Sequence, residues 1–389
     1  MHRLENHRRR YDWGSPVAIP DFLGETSDGD PVAEEWMGTH ALGESHVGGT
    51  PLSQVAGRLP FMFKLLAAER PLSIQVHPSP EIAREGFAAE EALGVAIDDP
   101  RRTFKDPHHK PEMVYALTTF DTLVGFRPTA EILRVLHGLD LPLSRRLAEE
   151  LTDDPGYAGI VRLVARVLES PADPAEVEAL VTRCRELVEQ GIDVKRAYLT
   201  VVEISQHHPG DLGLIVSLAL NRLTLQPGEA AFLDDGIIHA HLRGLCLEVM
   251  AASDNVVRGG LTSKPLDPHS LIDCLAVGMS RLARVTPRPF GLATEVFAPD
   301  VAEFALAVGQ CATSDPDGTL LPTSDHRIVV CTGGTVELVA ESGERLMLDR
   351  GDSVYAGADA GDLRIVGLGE VAQAFLPGPD LHGRLVDLV

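Results

Sequence analysis

The sequence predicts a mainly β protein made of two jelly-roll β-domains, the first of which is interrupted by a helical insert. Three observations support this fold class. Short apolar runs broken by Gly, Pro and Asp fill residues 35–127 and return after residue 210. The block between them has helical spacing, and the last hundred residues form only short runs separated by turns. Strands this short and evenly spaced favour antiparallel β-domains over a parallel sheet, whose strands alternate with helices.

These changes of pattern divide the chain into three predicted domains. Residues 1–128 and 202–285 are predicted to form one discontinuous β-domain, residues 129–201 a small helical domain, and residues 286–389 a C-terminal β-domain. A chain of 389 residues is long enough to build more than one hydrophobic core. We therefore expect cooperating domains.

The predicted strands are apolar runs bounded by turn residues. In the first β-domain they are 61–66, 73–76, 113–117, 122–126, 218–225 and 231–233. In the C-terminal domain they are 327–331, 335–339, 345–348, 353–356 and 363–366.

Apolar residues recur at three- and four-residue spacing in the helical block. Val177, Leu180 and Cys184 illustrate this spacing, which is typical of one buried helix face. Thr129 and Asp173 stand at the starts of apolar periodic segments and are predicted N-caps. Pro174 follows Asp173, in the first helical turn that proline favours.

The composition excludes several classes of partner. A formal net charge of -23 argues against binding to nucleic acid or anionic membranes, because both need a basic surface. No run of eighteen or more apolar residues indicates a membrane span. The polar first ten residues do not resemble a secretory signal, so we expect a cytoplasmic protein. We also expect a monomer rather than an obligate oligomer. Five scattered cysteines without a CxxC pair argue against a disulfide framework and a cysteine zinc site.

Residues suited to binding a metal lie in three segments. Gln75 and His77 are alternate residues of a predicted strand and project from one face. Glu112 stands at the start of the next clear strand, and His239 follows the turn at 234–236. This set of nitrogen and oxygen donors suits Zn²⁺, although Fe²⁺ and Mn²⁺ are chemically admissible.

A second, local metal site competes with the first. His239 and His241 form an HxH pair, and Glu248 follows further along the chain. Spacing alone does not decide between the two sets.

Several separate segments resemble type I mannose-6-phosphate isomerase, a family of zinc enzymes in the cupin superfamily. They are YDWGS at 11–15, AEEWMGTH at 33–40, the segments that hold Gln75, His77 and Glu112, and residues 239–264. The last segment contains the long and specific run EVMAASDNVVRGGLTSK.

The resemblance implies cupin-like jelly-roll domains, one Zn²⁺ per chain, and the interconversion of mannose 6-phosphate and fructose 6-phosphate through an enediol. It implies zinc ligands at Gln75, His77, Glu112 and His239. His241 stands where the family usually has tyrosine, so it is expected to add a ligand or to alter contacts with the substrate. Further departures are His108 in place of asparagine and Ser263 in place of proline.

Aldose–ketose isomerisation moves a proton between C2 and C1, so it needs an acid, a base and stabilisation of developing charge. The resemblance assigns Arg258 to the active site, where its guanidinium can hold an oxyanion or a phosphate. Lys264 is the candidate that binds the phosphate with it. The candidate proton carriers are Lys110, His109, Glu248 and Asp254. The other candidate substrate-binding residues are Trp13, Glu34, Ser73 and His241.

Two other classes of function fit parts of the sequence. One is an iron-dependent cupin oxygenase that uses His239, His241 and Glu248. The other is a non-catalytic sugar-binding cupin, which loss of the ligand set would favour. Zinc with isomerase activity supports the isomerase, whereas iron with oxygen uptake supports the oxygenase.

Overall fold

Two large antiparallel sheets make up most of the protein, and they confirm the predicted mainly β fold with a helical insert. One sheet has eleven strands and the other has nine. The computed structural model describes residues 1–169, 173–276, 278 and 284–378. The end of the predicted C-terminal domain, 379–389, lies outside the described residues.

The eleven-stranded sheet belongs to the first β-domain. Its strands are β2 His7–Arg9, β3 Glu34–Met37, β6 Phe61–Ala68, β7 Ile74–Val76, β8 Glu112–Ala116, β9 Phe120–Phe126, β10 Leu220–Leu225, β11 Ala230–Leu233, β12 His239–Ala251, β13 Val257–Gly260 and β14 Arg284–Val285. A small hairpin is formed by β4 His46–Val47 and β5 Thr50–Pro51.

The nine-stranded sheet belongs to the C-terminal domain and includes the first strand of the chain. Its strands are β1 His2–Arg3, β15 Arg288–Pro289, β16 Thr294–Phe297, β17 Ala305–Cys311, β18 Thr319–Leu321, β19 His326–Ala340, β20 Arg345–Asp349, β21 Ser353–Gly357 and β22 Leu363–Phe375. In β1, His2 pairs with Tyr355 of β21, so the N-terminus is part of the C-terminal sheet.

The described chain contains eleven helical elements. They are α1 Ala18–Phe22, α2 Leu52–Ala56, α3 Pro80–Ala92, α4 Thr129–Leu139, α5 Pro142–Asp153, α6 Tyr157–Glu169, α7 Pro174–Glu189, α8 Ala197–Ser205, α9 Gly213–Ser217, α10 Pro268–Cys274 and a 3₁₀ turn at Ala358–Ala360. Five of these, α4 to α8, begin in the predicted insert. Helix α8 runs through residue 201, where the sequence places a domain boundary. The three domain boundaries stay a prediction.

The structure corrects three local predictions. The Thr129 cap is wrong, because α4 begins at Thr129 and its hydroxyl bonds to the carbonyl of Pro155. Helix α3 lies in the region expected to hold only strands; Ser79 caps it and Pro80 starts it. The runs 327–331 and 335–339 are one strand, since the glycines between them form a register shift instead of a turn. The Asp173 cap is confirmed by a 2.9 Å bond from the backbone N–H of Ala175.

Strand β12 determines how the first β-domain closes around its interior. Its first half, from His239, pairs with β7 and β9, and its second half, from Gly244, pairs with β6 and β8. Gly244 has φ +118°, and a Cβ there would lie 2.6 Å from the carbonyl oxygen of Thr119. Glycine therefore lets one strand pass between two layers, as strands do at the corners of packed sheets.

Two of the apolar cores in the described chain connect its parts. The helical insert packs on the β7 and β9 side of the first domain through residues such as Leu123, Val164 and Leu214. The other core joins the two domains, because Phe63 and Leu247 share it with Leu306 of the C-terminal sheet. No helix among the described residues has both the length and the apolarity needed to cross a membrane.

The segment after Arg258 turns sharply because two glycines allow a close approach of backbones. Gly260 has φ +132°, and a Cβ there would lie 2.6 Å from the Cα of Gly213. Asp211 then accepts the backbone N–H of Leu261 at 2.9 Å. This turn directs the chain towards Lys264.

We predict that Gly260→Ala lowers the free energy of unfolding by about 1–3 kcal/mol, because alanine is strained at this φ and collides with backbone. Urea unfolding followed by circular dichroism measures the change. Gly259→Ala is the matched control, since a Cβ there meets only side chains, nearest the methyl groups of Leu271 at 3.1 Å. The control should cost under about 1 kcal/mol. Equal losses for both variants would contradict the assigned role of the turn.

Candidate metal centre and cleft

The four predicted metal ligands lie together inside the first β-domain. Gln75 is in β7, His77 follows it, Glu112 begins β8, and His239 begins β12. The Nε2 atom of His77 lies 3.2 Å from Glu112 Oε2, and that of His239 lies 3.0 Å from Glu112 Oε1. The amide nitrogen of Gln75 lies 3.1 Å from His239 Nε2. Residues from strands β7, β8 and β12 of the first β-domain therefore face one point.

Both histidine rings are oriented by backbone carbonyls. His77 Nδ1 lies 2.6 Å from the carbonyl oxygen of Asn255, and His239 Nδ1 lies 2.8 Å from that of Ile237. Because a carbonyl only accepts, each Nδ1 carries the proton and each Nε2 is left with a lone pair. Histidines that bind a metal through one ring nitrogen commonly donate the N–H of the other nitrogen to a carbonyl or carboxylate, which fixes the ring.

The chemistry of these side chains fits a bound metal ion. His77 Nε2 and Glu112 Oε1 are buried and, within the described chain, have no hydrogen-bond partner. Burial, together with Lys110, lowers the pKa of His77 to about 4. Burial opposes ionisation of Glu112, but Lys110 and His77 hold its pKa well below the ordinary value. A neutral imidazole and an ionised carboxylate are the forms that bind metals.

Gln75 presents its amide to the same point. The observed rotamer turns the nitrogen towards His239. A half-turn of the amide exchanges nitrogen for oxygen without moving the rest of the side chain, and the oxygen is the atom that binds a cation.

The structure separates the two members of the HxH pair. His239 groups with His77 and Glu112, whereas His241 groups with Glu112 and Glu248. His241 Nε2 lies 3.6 Å from Glu248 Oε1 and 3.9 Å from Glu112 Oε1. The oxygenase set of His239, His241 and Glu248 therefore does not form one group, and Glu112 lies between the two histidines.

Buried charges of both signs surround the ligands. Lys64 Nζ lies 2.9 Å from Glu248 and 3.4 Å from Glu34, and Lys110 Nζ lies 3.2 Å from Glu112. Burial would lower the pKa of Lys64, but the two glutamates raise it. Burial raises the pKa of Glu248, but the charge of Lys64 lowers it, and the pKa falls to about 2.

Lys64 was missed by the sequence reasoning. The signal was present, since it is the one charged residue in the otherwise apolar strand Phe61–Ala68. A lysine inside a buried strand is costly unless it is paired.

The metal centre opens into a cleft of about 430 Å³. Eleven of the predicted site residues line it: Trp13, Glu34, Ser73, Gln75, Lys110, Glu112, His241, Glu248, Asp254, Arg258 and Lys264. His77 and His239 lie behind this wall, fully buried, with their Nε2 atoms towards Glu112.

Two cations without an ion-pair partner among the described residues, Arg258 and Lys264, lie at one end of the cleft. Arg258 lies opposite Gln75 in the β13–β7 pair, and its guanidinium has no hydrogen bond or ion pair with any described residue. Burial lowers the pKa of Arg258, and Arg258 in turn lowers the pKa of Lys264. Two neighbouring cations favour a bound anion between them.

Asp254 also lines the cleft, and its partner was missed. His40 Nε2 lies 3.1 Å from Asp254 Oδ2, and His40 Nδ1 accepts the backbone N–H of Leu42 at 3.2 Å. Burial raises the pKa of Asp254, but His40 brings it below the ordinary value. His40 ends the AEEWMGTH segment, and its role could not be read from spacing because Asp254 lies far away in sequence.

His109 is not in the cleft. Its ring bonds to Asp235 at 2.8 Å and to Glu303 of the C-terminal domain at 2.9 Å. The structure thus places this candidate proton carrier at the junction between the two domains.

A jelly-roll β-domain with a buried set of metal-binding side chains beside a cleft defines a metal-binding protein of the cupin class. The family model for phosphomannose isomerase type I, catalytic domain, matches residues 1–129. A mannose-6-phosphate isomerase of Salmonella typhimurium is 32% identical over 414 residues, which cover 96% of this chain and 99% of the relative. The chain belongs to the type I mannose-6-phosphate isomerase family.

The similarity extends to animals and to solved structures. A human mannose-6-phosphate isomerase is 30% identical over 398 residues, covering 90% of this chain and 92% of the relative. A crystal structure of the Salmonella typhimurium enzyme bound to its substrate, fructose 6-phosphate, and to zinc has a TM-score of 0.87 at 31% identity. The match covers 97% of this chain and 100% of that chain.

We predict that the His109 ion pairs stabilise the protein below pH 6.5 and are lost as the pH rises. Hydrogen bonds from His109 to Asp235 and Glu303 raise the pKa of His109, whereas burial lowers it; the result is a pKa of about 9. Because this folded pKa exceeds the ordinary value of 6.5, the folded state binds more protons between the two values and stability falls with rising pH.

The free energy of unfolding in urea, measured from pH 6 to 9.5, tests this prediction. The wild type should lose more stability across this range than His109→Gln, which keeps a polar side chain but does not titrate. Parallel pH profiles for the two proteins would show that His109 is not protonated in the folded state.

Proposed function

We propose that this chain is a zinc-dependent isomerase that interconverts mannose 6-phosphate and fructose 6-phosphate, with one Zn²⁺ bound by Gln75, His77, Glu112 and His239. The observation that carries the proposal is the convergence of these side chains, with His77 Nε2 and Glu112 Oε1 buried and without hydrogen-bond partners in the described chain. The bound substrate and zinc of the Salmonella typhimurium relative support it.

Arg258 and Lys264 are proposed to bind the phosphate group. They lie at the same end of the cleft, and the guanidinium of Arg258 has no partner among the described residues. An arginine can hold a phosphate with two parallel hydrogen bonds, whereas a lysine adds a point charge. In a chain of charge -23 these local contacts must overcome long-range repulsion of the substrate.

Asp254 and Lys110 are proposed to carry the protons. Asp254 lines the cleft as a carboxylate and can accept a proton, while the Lys110 ammonium can donate to a sugar oxygen. Glu248 is a weaker candidate base, because its pair with Lys64 lowers its pKa to about 2. Zinc would supply a positive charge that polarises or orients the sugar oxygens.

The remaining cleft residues are proposed to position the sugar. Trp13 offers an aromatic face, and Ser73, Glu34 and His241 offer polar atoms. His241 Nδ1 bonds to the hydroxyl of Thr122 at 3.1 Å, which leaves Nε2 facing the two buried glutamates.

We further propose that the chain works as a monomer in the cytoplasm. All five cysteines are free and buried, which agrees with a reducing compartment.

Chelation should abolish isomerase activity and leave the fold, because a core of this size does not depend on one ion. A coupled assay with mannose 6-phosphate, before and after dialysis against a chelator, measures the loss. Zinc addition should restore activity, and far-ultraviolet circular dichroism should stay constant throughout. Full activity in protein shown to be free of zinc would contradict the proposed cofactor, and oxygen uptake with iron would favour the oxygenase.

Arg258→Ala should lower kcat/KM by at least ~10-fold, equivalent to about 1.4 kcal/mol, without loss of zinc. Lys264→Ala should mainly raise KM, because a phosphate contact is made equally in the ground and transition states. Steady-state kinetics and metal analysis of each variant are the measurements.

Arg243→Ala is the matched control for these two variants. Arg243 lies on the same strand as His239, but it is exposed and pairs with Asp121 outside the cleft. Its kinetics should equal those of the wild type. Wild-type kinetics in the Arg258 variant would remove that residue from the active site.

A further inference from the structure

We propose that Asn255 is a positioning residue that fixes two metal-binding segments relative to each other, an inference that rests on the metal site proposed above. One of these segments carries His77. The other, residues 105–112, carries Lys110 and Glu112. Asn255 lies between them and contacts both, although it faces neither the cleft nor the ligand atoms themselves.

The side chain of Asn255 binds the backbone of the second segment as a fork. Its Oδ1 accepts the N–H groups of Lys105 at 2.7 Å and Asp106 at 3.3 Å. Its Nδ2 donates to the carbonyls of Asp106 at 2.7 Å and His108 at 2.8 Å. One amide thus satisfies two donors and two acceptors of an irregular segment, which only a group with both functions can do.

The backbone of Asn255 binds the other segment. Its carbonyl oxygen accepts the Nδ1 proton of His77 at 2.6 Å, the contact that leaves Nε2 free for the metal. Through a single residue, the ring of one ligand is therefore connected to the chain that leads to Glu112. The spacing between His77 and Glu112 depends on this connection.

Burial makes the connection rigid. Asn255 is 0% exposed, so water cannot replace the bonds of its side chain. Its backbone N–H bonds to Ser253 Oγ at 3.2 Å, and that hydroxyl donates to Asp106 Oδ1 at 2.9 Å. Removing the amide leaves the N–H groups of Lys105 and Asp106 and the carbonyl of Asp106 without these bonds, while the carbonyl of His108 keeps only the Ser253 hydroxyl at 3.2 Å. The segment then shifts to find other partners.

The consequence is specific to the metal. A shift of residues 105–108 moves Glu112 away from His77 and weakens zinc binding, while most of the β-core is untouched. Loss of contacts that orient metal ligands typically weakens metal affinity by about 10–100-fold. A residue with a purely structural role would lower the unfolding temperature and leave zinc affinity unchanged.

The test compares Asn255→Ala with Gln373→Ala in the full chain. Gln373 is the matched control: it is also 0% exposed, and its amide donates to a backbone carbonyl, that of Pro322 at 2.8 Å, but it lies in the C-terminal domain. The zinc dissociation constant is measured by competition with a chelating indicator, and the unfolding temperature of the zinc-free protein is measured alongside. Asn255→Ala should raise the dissociation constant by about 10-fold or more, and Gln373→Ala should not change it.

A second variant covers the case in which Asn255→Ala does not fold. Ser253→Ala removes one hydroxyl from the same set of bonds and should raise the zinc dissociation constant by a smaller factor. An unchanged dissociation constant in a folded Asn255 variant, or in Ser253→Ala if that is the only folded one, overturns the inference. Zinc affinity is read without substrate, so failure of the proposed isomerase activity would leave this test intact and would be detected separately.

Discussion

The constraint on which the site depends is that charges buried in the first β-domain must compensate one another. Glu34, Glu112 and Glu248 are nearly inaccessible, and so are Lys64 and Lys110. A buried ion without a partner lowers the stability of the fold by several kcal/mol. Removing any one of these groups would therefore leave another buried charge without its partner. The carboxylates outnumber the lysines, and a divalent cation between the histidines and Glu112 would offset the excess. The same arrangement therefore serves stability and metal binding.

The barrel geometry makes this compensation possible. Strand β12 contributes His239 from one layer and Glu248 from the other, because Gly244 lets it pass between them. The two predicted ligand histidines, His77 and His239, then reach Glu112 across the interior. The cleft opens on the side where Arg258 and Lys264 lie, so the predicted metal ligands Gln75 and Glu112 share one cavity with these two cations.

The sequence predicts the fold class well, since strand spacing and helical periodicity are local properties. The sequence indicates Lys110, because it stands two residues before the predicted ligand Glu112. It does not show that Lys64 meets Glu248, because these two residues come together only through the pairing of β6 with β12. His40 escaped notice for the same reason, because its partner Asp254 comes from a distant segment. His109 was expected to be one of the proton carriers, yet its ring faces Asp235 and Glu303. The helix α3 was missed because its apolar periodicity is weak and its cap was overlooked. The spacing of residues in the sequence does not show which side chains from distant segments pair with each other.

Because β1 pairs with β21, β1 cannot enter its sheet until a much later part of the chain has been synthesised. His2 is made more than 350 residues before its partner Tyr355. At about 5–20 residues per second, the first strand waits roughly 20–70 s for its place in a sheet. Through that interval its backbone groups are open to other chains, and the polar, basic composition of residues 1–10 keeps this waiting segment hydrated. Completion of the C-terminal sheet is thus the event that ends the exposure of the N-terminus.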